Sequence, residues 1–519
     1  MFSIKITNGL VYDGSGKTGT FGDIGIADDK IVDIGDLSSA ETEITIDAQG
    51  HMVCPGFIDA HSHSDAYLLI EPSAHSKIYQ GITTEIVGNC GASAAPLVGE
   101  YHMPSDWLDK KYPGTWSSVA EYRKLLENIR PAPNVVLLIG HNTLRVAAAG
   151  YENRPVTESE LSVMIRLFEQ SLDEGGRGLS TGLIYTPASS ASREEIVALA
   201  LVAASRNGIY ASHMRSEGSR LIEAIEETIA IAQEAEIRTE ISHLKTAGKK
   251  NWGLIDNALE TIARARDAGV EIAADRYPYT ASSTDLDMIF PVWAEEGGRK
   301  SALERLKNDA NRARLRSELL QSHTDDYWDS ITIGSTHNPA NRRFQGCVLT
   351  NAAKQLGMHP VDAALYFAET DELCTGAFFG GMSESNMLRI LAQEYVMLGT
   401  DASLRAPTGP LSEDYPHPRA YGSFPKFLRM ALDGKTVAVE EAIRKMTSLP
   451  ASHFRLTNRG RIEKGCFADI VVLNQDIVSD RASYAAPHQL AVGIEHVLIN
   501  GTLTVANGVL TGSRAGRML

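Results

Sequence analysis

The feature that most constrains this chain is an alternation, repeated from about residue 52 to residue 400, of a short apolar β-rich run, a loop and an amphipathic helix. The β-rich runs fall at Met52–Ile58, Thr84–Val87, Val135–Ile139, Gly178–Ser180, Ile209–Ser212, Thr239–Ser242, Val270–Ala274 and Val396–Gly399. Helical periodicity separates most of them, as in ESELSVMIRLFEQSLDEG, REEIVALALVAASRNG, SRLIEAIEETIAIAQEAE and LIDNALETIARARDAG. Parallel strands require such crossovers. Eight strand–helix units predict an α/β fold, a (β/α)8 TIM barrel, with its reactive side chains at the C-terminal ends of the strands.

The two ends read differently. FSIKITNGLVY, FGDIGIADDKIVDIG and ETEITIDAQG are short strands with polar turns, and ADIVVLN, IEHVLINGTLTV and ANGVL repeat that texture. Neither end can bury a core alone. Residues 1–52 and 456–519 are therefore expected to pair as one small β-sandwich beside a barrel spanning 53–455. One gap, about 288–390 between the seventh and eighth strands, is too long for a plain connection and predicts an insert. Within it, RKSALERLKNDANRARLRSELLQ reads as one charged amphipathic helix with a solvated face.

Bulk properties exclude several function classes. The 519 residues exceed what one core usually serves, although barrels with insertions reach this size. A net charge of −16 argues against a nucleic-acid-binding surface, which needs basic stripes to meet phosphates. Apolar runs such as Val135 to Gly140 fall far short of the roughly 20 residues that span a bilayer. The start, MFSIKITNGL, lacks the layout of a secretory signal. Five scattered cysteines are not a disulfide framework and fit a reducing cytoplasm. The expectation is a cytoplasmic protein with a small-molecule partner and no nucleic-acid or membrane partner; the oligomeric state stays open.

The chemistry concentrates at strand ends. In PGFIDAHSHSD the first strand runs into His61-Ser62-His63, and a period of two turns both imidazoles to one side. Cys90 follows the second strand in TTEIVGNCG, His213 closes the fifth in YASHMR, His243 the sixth in EISHLK, and Asp401 the eighth in VMLGTDAS. His213 and His243 are one strand–helix unit apart and hence neighbours on the rim. Alternation sends Lys245 to the same mouth. Six metal-competent residues at five strand ends point to a metal centre. Imidazoles with a thiolate suit Zn²⁺ better than Mg²⁺ or Ca²⁺, which prefer oxygen shells. Cys90, His213 and His243 would fill a Zn²⁺ except for one water position. A second, weaker site would use His61 and His63, with Cys90 bridging.

This pattern resembles the amidohydrolase superfamily, and most of the chain resembles its N-acyl-D-amino-acid deacylases, or D-aminoacylases. The shared segments are PGFIDAHSHSD, VGNCG, GLSTGLIYTP, ASHMRSEG, ISHLK, DRYPYTASST and PHPRAYGSFPKFL. Other members, such as hydantoinases, bridge two metals with a carboxylated lysine on the fourth strand; GLSTGLIYTP has no lysine. The resemblance implies zinc-dependent hydrolysis of the amide of an N-acyl-D-amino acid. It implies His61, His63, Cys90, His213 and His243 as metal ligands and Asp401 as the catalytic acid/base. Lys245, Tyr277 and Ser283 fall where the family grips the substrate α-carboxylate, with Tyr185 and Arg419 as further candidates for that pocket. Members specific for acidic D-amino acids carry an extra Arg shortly after TASST. Here DLDMIFPVW follows, with no base before Arg299, which implies a neutral or hydrophobic side chain. RAPTGPLSEDY after Asp401 is a further departure. Two rival readings remain: a cyclic amidase or D-residue dipeptidase on the same scaffold, and a non-catalytic amidohydrolase-like scaffold.

Overall fold

The computed structural model describes residues 1–99, 103–108 and 110–519. At its centre lie β1 (Phe57–Asp59), β2 (Ile82–Val87), β3 (Asn134–Leu137, continued by Ile139–Gly140), β4 (Gly178–Gly182), β5 (Ile209–His213), β6 (Thr239–Ile241), β7 (Ile272–Arg276) and β8 (Val396–Leu398). β1, β2 and β3 form one sheet; the continuation of β3 opens a second that runs in order through β4, β5, β6, β7 and β8. Every one of these pairings is parallel. β1 and β8 meet where the Ala60 N–H donates to the Leu398 carbonyl at 3.2 Å and Ser62 bridges Ala402.

The helices stand where the periodicity placed them, at Glu158–Asp173, Arg193–Ser205, Leu221–Glu234 and Ile255–Asp267. Thr157 opens the first with a capping box to Glu160, and the Ser192 hydroxyl accepts the Glu195 N–H at 3.2 Å to open the second. In the third, Leu221, Ala224, Ile225, Thr228, Ile231 and Ala232 are buried, a stripe at steps of three and four. Each Leu or Ile in such a stripe contributes about 1.5–3 kcal/mol by leaving water.

The run Met52–Ile58 is two strands, not one. Met52–Pro55 pairs antiparallel with Ile470–Leu473 and parallel with Phe2–Val11, which joins it to a nine-stranded mixed sheet drawn from both chain ends. The chain switches sheets at Gly56, where a Cβ would lie 2.2 Å from Thr83 Oγ1. Ile6, Ile24, Val53, Ile470 and Leu498 share the apolar core of this terminal sheet.

Between β7 and β8 the chain builds a separate core around Leu319, Trp328, Phe344 and Phe367. Its antiparallel sheet, Ser282–Asp285, Gly376–Phe379 and Ile331–Ile333, starts ahead of residue 288. The charged segment expected as one helix is two, Gly298–Lys307 and Asp309–Ser322. Asn308 separates them: its backbone is extended and its side chain caps the second helix by accepting the Asn311 N–H at 3.1 Å. Among the described residues, no helix is long and apolar enough to cross a membrane.

Candidate active site

The C-terminal ends of β1, β2, β5, β6 and β8 deliver His61, Cys90, His213, His243 and Asp401 to one place. Cys90 Sγ lies 3.3 Å from His61 Nε2 and 3.4 Å from His243 Nε2, and His243 Nε2 lies 3.0 Å from His213 Nδ1. His63 Nε2 stands 3.2 Å from Asp401 Oδ1, and the rings of His61 and His63 are 5.2 Å apart. One ligand atom from each of His61, Cys90, His243 and Asp401 falls within 4.8 Å of the others. This donor set, two imidazoles with a thiolate and a carboxylate, fits a divalent transition ion rather than an all-oxygen cation site.

The backbone pays attention to these positions. Cys90, His243 and Asp401 hold φ of +53°, +36° and +50°, in the left-handed region that L-residues other than Asn and Asp rarely enter. Two glycines make room. A Cβ on Gly182, at the end of β4, would lie 2.2 Å from the Cys90 carbonyl oxygen; one on Gly399 would lie 2.6 Å from His61 Cβ.

Charge within the cluster is self-balancing. Burial pushes the Cys90 thiol up, but the charges of His61 and His243 and hydrogen bonds from His213 and His243 outweigh it and hold the thiol well below its ordinary value. Burial likewise pushes the Asp401 carboxyl up, and Arg419, His243, His63 and His61 together hold it well below the usual carboxylate range. Burial opposes charge on His63, yet Asp401 and Cys90 raise it to about 9. His243 is raised to about 10: burial and Lys245 oppose its charge, and Glu217, Asp401 and Cys90 prevail. A divalent ion on these atoms would take over that positive charge and release the protons.

His63, Cys90, His213, His243 and Asp401 line a cavity of about 1120 Å³, together with Tyr185, Lys245, Ser283 and Arg419. Arg419 Nη1 pairs with Asp401 Oδ2 at 2.6 Å and Nη2 donates to the Ser283 carbonyl at 3.2 Å, while its buried Nε–H has no partner among the described residues. Burial, with Cys90 beside it, pushes the Tyr185 hydroxyl well above its ordinary value, so it stays an O–H donor. Tyr277 stands apart from the expected carboxylate grip. It is fully buried and does not line the cavity; the Arg276 and Arg419 guanidinia cover its ring at 4.1 Å and 4.8 Å. Lys245 reaches the cavity through the loop after β6 rather than by strand alternation, since β6 ends at Ile241.

Sequence reasoning missed two carboxylates. Asp275 on β7 accepts from His61 Nδ1 at 3.0 Å and from the His243 backbone N–H at 2.9 Å, which leaves His61 Nε2 facing Cys90. Glu217 lies 2.9 Å from His243 Nδ1 and pairs with Lys245. The available signals were an acid at the end of one of the three strands that had offered no ligand, and an acid four residues beyond His213 in ASHMRSEG.

The family model for the amidohydrolase family matches residues 45–344 and 393–505. The chain belongs to the amidohydrolase family. Among its relatives within the family is the D-aminoacylase of Alcaligenes xylosoxydans xylosoxydans, 34% identical over 520 residues, covering 100% of this chain and 97% of that one. The crystal structure of N-acyl-D-glutamate deacylase from Bordetella bronchiseptica, complexed with zinc and a phosphonate mimic of the tetrahedral intermediate, is 33% identical. It superposes with a TM-score of 0.84 over 100% of this chain and 99% of that one. A D-aminoacylase structure describing a binuclear metal centre, with one-metal activation and second-metal attenuation, matches with a TM-score of 0.85 and 33% identity over the whole of both chains.

Proposed function

We propose that this amidohydrolase cleaves the amide of N-acyl-D-amino acids with neutral or hydrophobic side chains, using zinc, and releases a D-amino acid and a carboxylate. The observation that carries it is the placement of Asp401. One of its oxygens lies against His63 at 3.2 Å, and the other pairs at 2.6 Å with Arg419, a cation on the cavity wall. A carboxylate between metal-ligand imidazoles and a carboxylate-binding guanidinium is where an amide proton shuttle belongs.

Cys90, His213 and His243 would hold one tight zinc, and His61 and His63 would hold a weaker second ion. When bound, zinc supplies Lewis acidity that lowers the pKa of water from about 15.7 toward 7. Asp401 takes the proton of the attacking water and hands it to the departing amine nitrogen as the C–N bond breaks. The Tyr185 O–H donates to the oxyanion that develops on the carbonyl oxygen. The Arg419 guanidinium, with Lys245 and the Ser283 hydroxyl, fixes the substrate α-carboxylate, and Tyr277 supports the guanidinium from beneath. The D configuration is supported by the relatives alone.

The cavity wall supports a non-acidic side chain, because Met288, Ile289 and Phe378 offer it apolar surface.

The same reading extends to the architecture. The contacts between β1 and β8 support closure of the eight strands into a (β/α)8 barrel over 53–455. The shared core of the two ends supports a β-sandwich of 1–52 and 456–519, and the separate core around Trp328 supports an insert within about 288–390. Cys54, Cys90, Cys347 and Cys466 keep free thiols, in keeping with a cytoplasmic setting.

The test is a panel of N-acetyl-D- and N-acetyl-L-amino acids scored for free amine with and without added Zn²⁺. Zinc-dependent release from D-Met and D-Leu, exceeding D-Glu, is expected. Release from L-substrates alone, or hydantoin opening with no action on acetyl-D-amino acids, overturns the proposal.

A further inference from the structure

Lys77 sits in the short helix His75–Ile78, fully buried, and does not line the cavity. Its ammonium meets oxygens from three separated stretches of chain. Nζ lies 2.7 Å from Asp59 Oδ2 and 3.1 Å from Ser62 Oγ at the end of β1. It lies 2.8 Å from Thr400 Oγ1 and 2.9 Å from the Ala402 carbonyl at the end of β8, and 3.2 Å from Glu85 Oε2 on β2.

An ammonium has three protons, so five oxygens at this range share them and fix its position from every side. The partners are bonded to one another as well. Asp59 Oδ1 accepts the Thr400 N–H at 2.8 Å and the His61 N–H at 3.3 Å, and the Thr400 hydroxyl donates to Asp59 Oδ2 at 2.7 Å. The Ser62 and Ser64 hydroxyls each donate to Glu85 Oε2 at 2.6 Å. Ser62 is the residue between the two histidines of the first strand end, and Thr400 and Ala402 flank Asp401.

Two other buried ion pairs show what such a network is not. Arg145 with Glu195 holds the helix His141–Ala149 to the helix Arg193–Ser205, and Arg459 with Asp469 lies at the terminal sheet. Lys77 instead ties the stretch 59–62 to the stretch 400–402, the two that carry His61 and Asp401. One further bond, from the Asp401 N–H to the His61 carbonyl at 2.8 Å, completes the link.

We propose that Lys77 is a positioning residue for the reaction: it locks the end of β1 to the end of β8 and so sets where Asp401 stands relative to His61 and His63. The inference rests on the reading of Asp401 as the proton shuttle. Proton transfer demands hydrogen-bond reach, and a misplacement of about 1 Å can cost about 100-fold in rate. Substrate anchoring and tight metal binding draw on other strand ends, so they should survive the loss of Lys77.

The experiment is Lys77→Met in the full-length zinc-loaded protein, assayed with N-acetyl-D-methionine beside wild type and Asp401→Asn. The expected result is kcat lower by about 100-fold with KM within about threefold. Zinc per chain should be unchanged and the melting transition should stay above the assay temperature. A folded, zinc-loaded variant with kcat near wild type overturns the proposal. So does a loss of kcat that only tracks lost zinc or lost folded protein. Should Lys77→Met not fold, Thr400→Val decides: it keeps the side-chain shape and removes the hydroxyl linking Lys77 to Asp59. About tenfold lower kcat at unchanged KM supports the proposal, and unchanged kcat overturns it. An active Asp401→Asn would instead sink the underlying reading, whatever Lys77 does.

Discussion

Replacing Asp401 by Asn changes almost no volume and removes one negative charge between His63 and Arg419. A positioned acid/base contributes about 10²–10⁴ in rate, or about 2.7–5.5 kcal/mol of transition-state stabilisation at about 1.36 kcal/mol per decade. The pairing with Arg419 makes a second, opposite prediction for binding. The guanidinium is 5% exposed and its ion-pair partner among the described residues is Asp401, so Asp401→Asn leaves it in need of an anion. The substrate carboxylate is that anion. KM for N-acetyl-D-methionine should therefore hold or fall while kcat drops by at least 100-fold, with zinc content retained through Cys90, His213 and His243. Steady-state kinetics on protein of measured zinc content provide the assay. A kcat within tenfold of wild type, or a loss expressed as raised KM, would refute the assignment of both groups.

Cys90→Ala should lower zinc per chain, because the thiolate stands between His61 and His243; unchanged zinc by elemental analysis would remove it from the ligand set. Breaking the buried pair at Glu195 by Glu195→Ala should cost about 3–5 kcal/mol, since it leaves Arg145, 1% exposed, without its carboxylate. A melting temperature within a degree or two of wild type would contradict that. His453 is held down at about 3 by burial and by Arg238, Arg266 and Arg455, against an ordinary 6.5. The folded chain thus refuses a proton that the unfolded chain accepts. Its stability is intact above about pH 6.5 and is lost progressively as pH falls toward 3, by an order of 4–5 kcal/mol in full. His453→Gln should flatten that decline in urea melts between pH 7 and 4.5, and parallel profiles for variant and wild type would disprove it.

The strand–helix alternation and the residues at strand ends were legible because both rest on local periodicity. His213 closing β5 is a statement about one segment, and so is the burial stripe of Leu221–Glu234. The break at Gly56 was not legible: the seven residues Met52–Ile58 are uniformly strand-like, and only packing against Thr83 decides that the chain changes sheets there. Nor could the resemblance that named Tyr277 separate it from the cavity, since the guanidinia of Arg276 and Arg419 that cover its ring come together only in the fold. Asp275 and Lys77 act through partners far away in the chain, and the acids near strand ends in DRYPYT and ASHMRSEG give only a weak local mark of Asp275 and Glu217.

The left-handed backbone at Cys90, His243 and Asp401 sets the site against the stability of its own fold. Each such residue costs on the order of 1 kcal/mol that glycine would not pay. A library of variants ranked by cellular abundance alone would therefore score glycine at positions 90 and 243 as tolerated. The residues on which the chemistry depends would look dispensable, and only selection on turnover would return them.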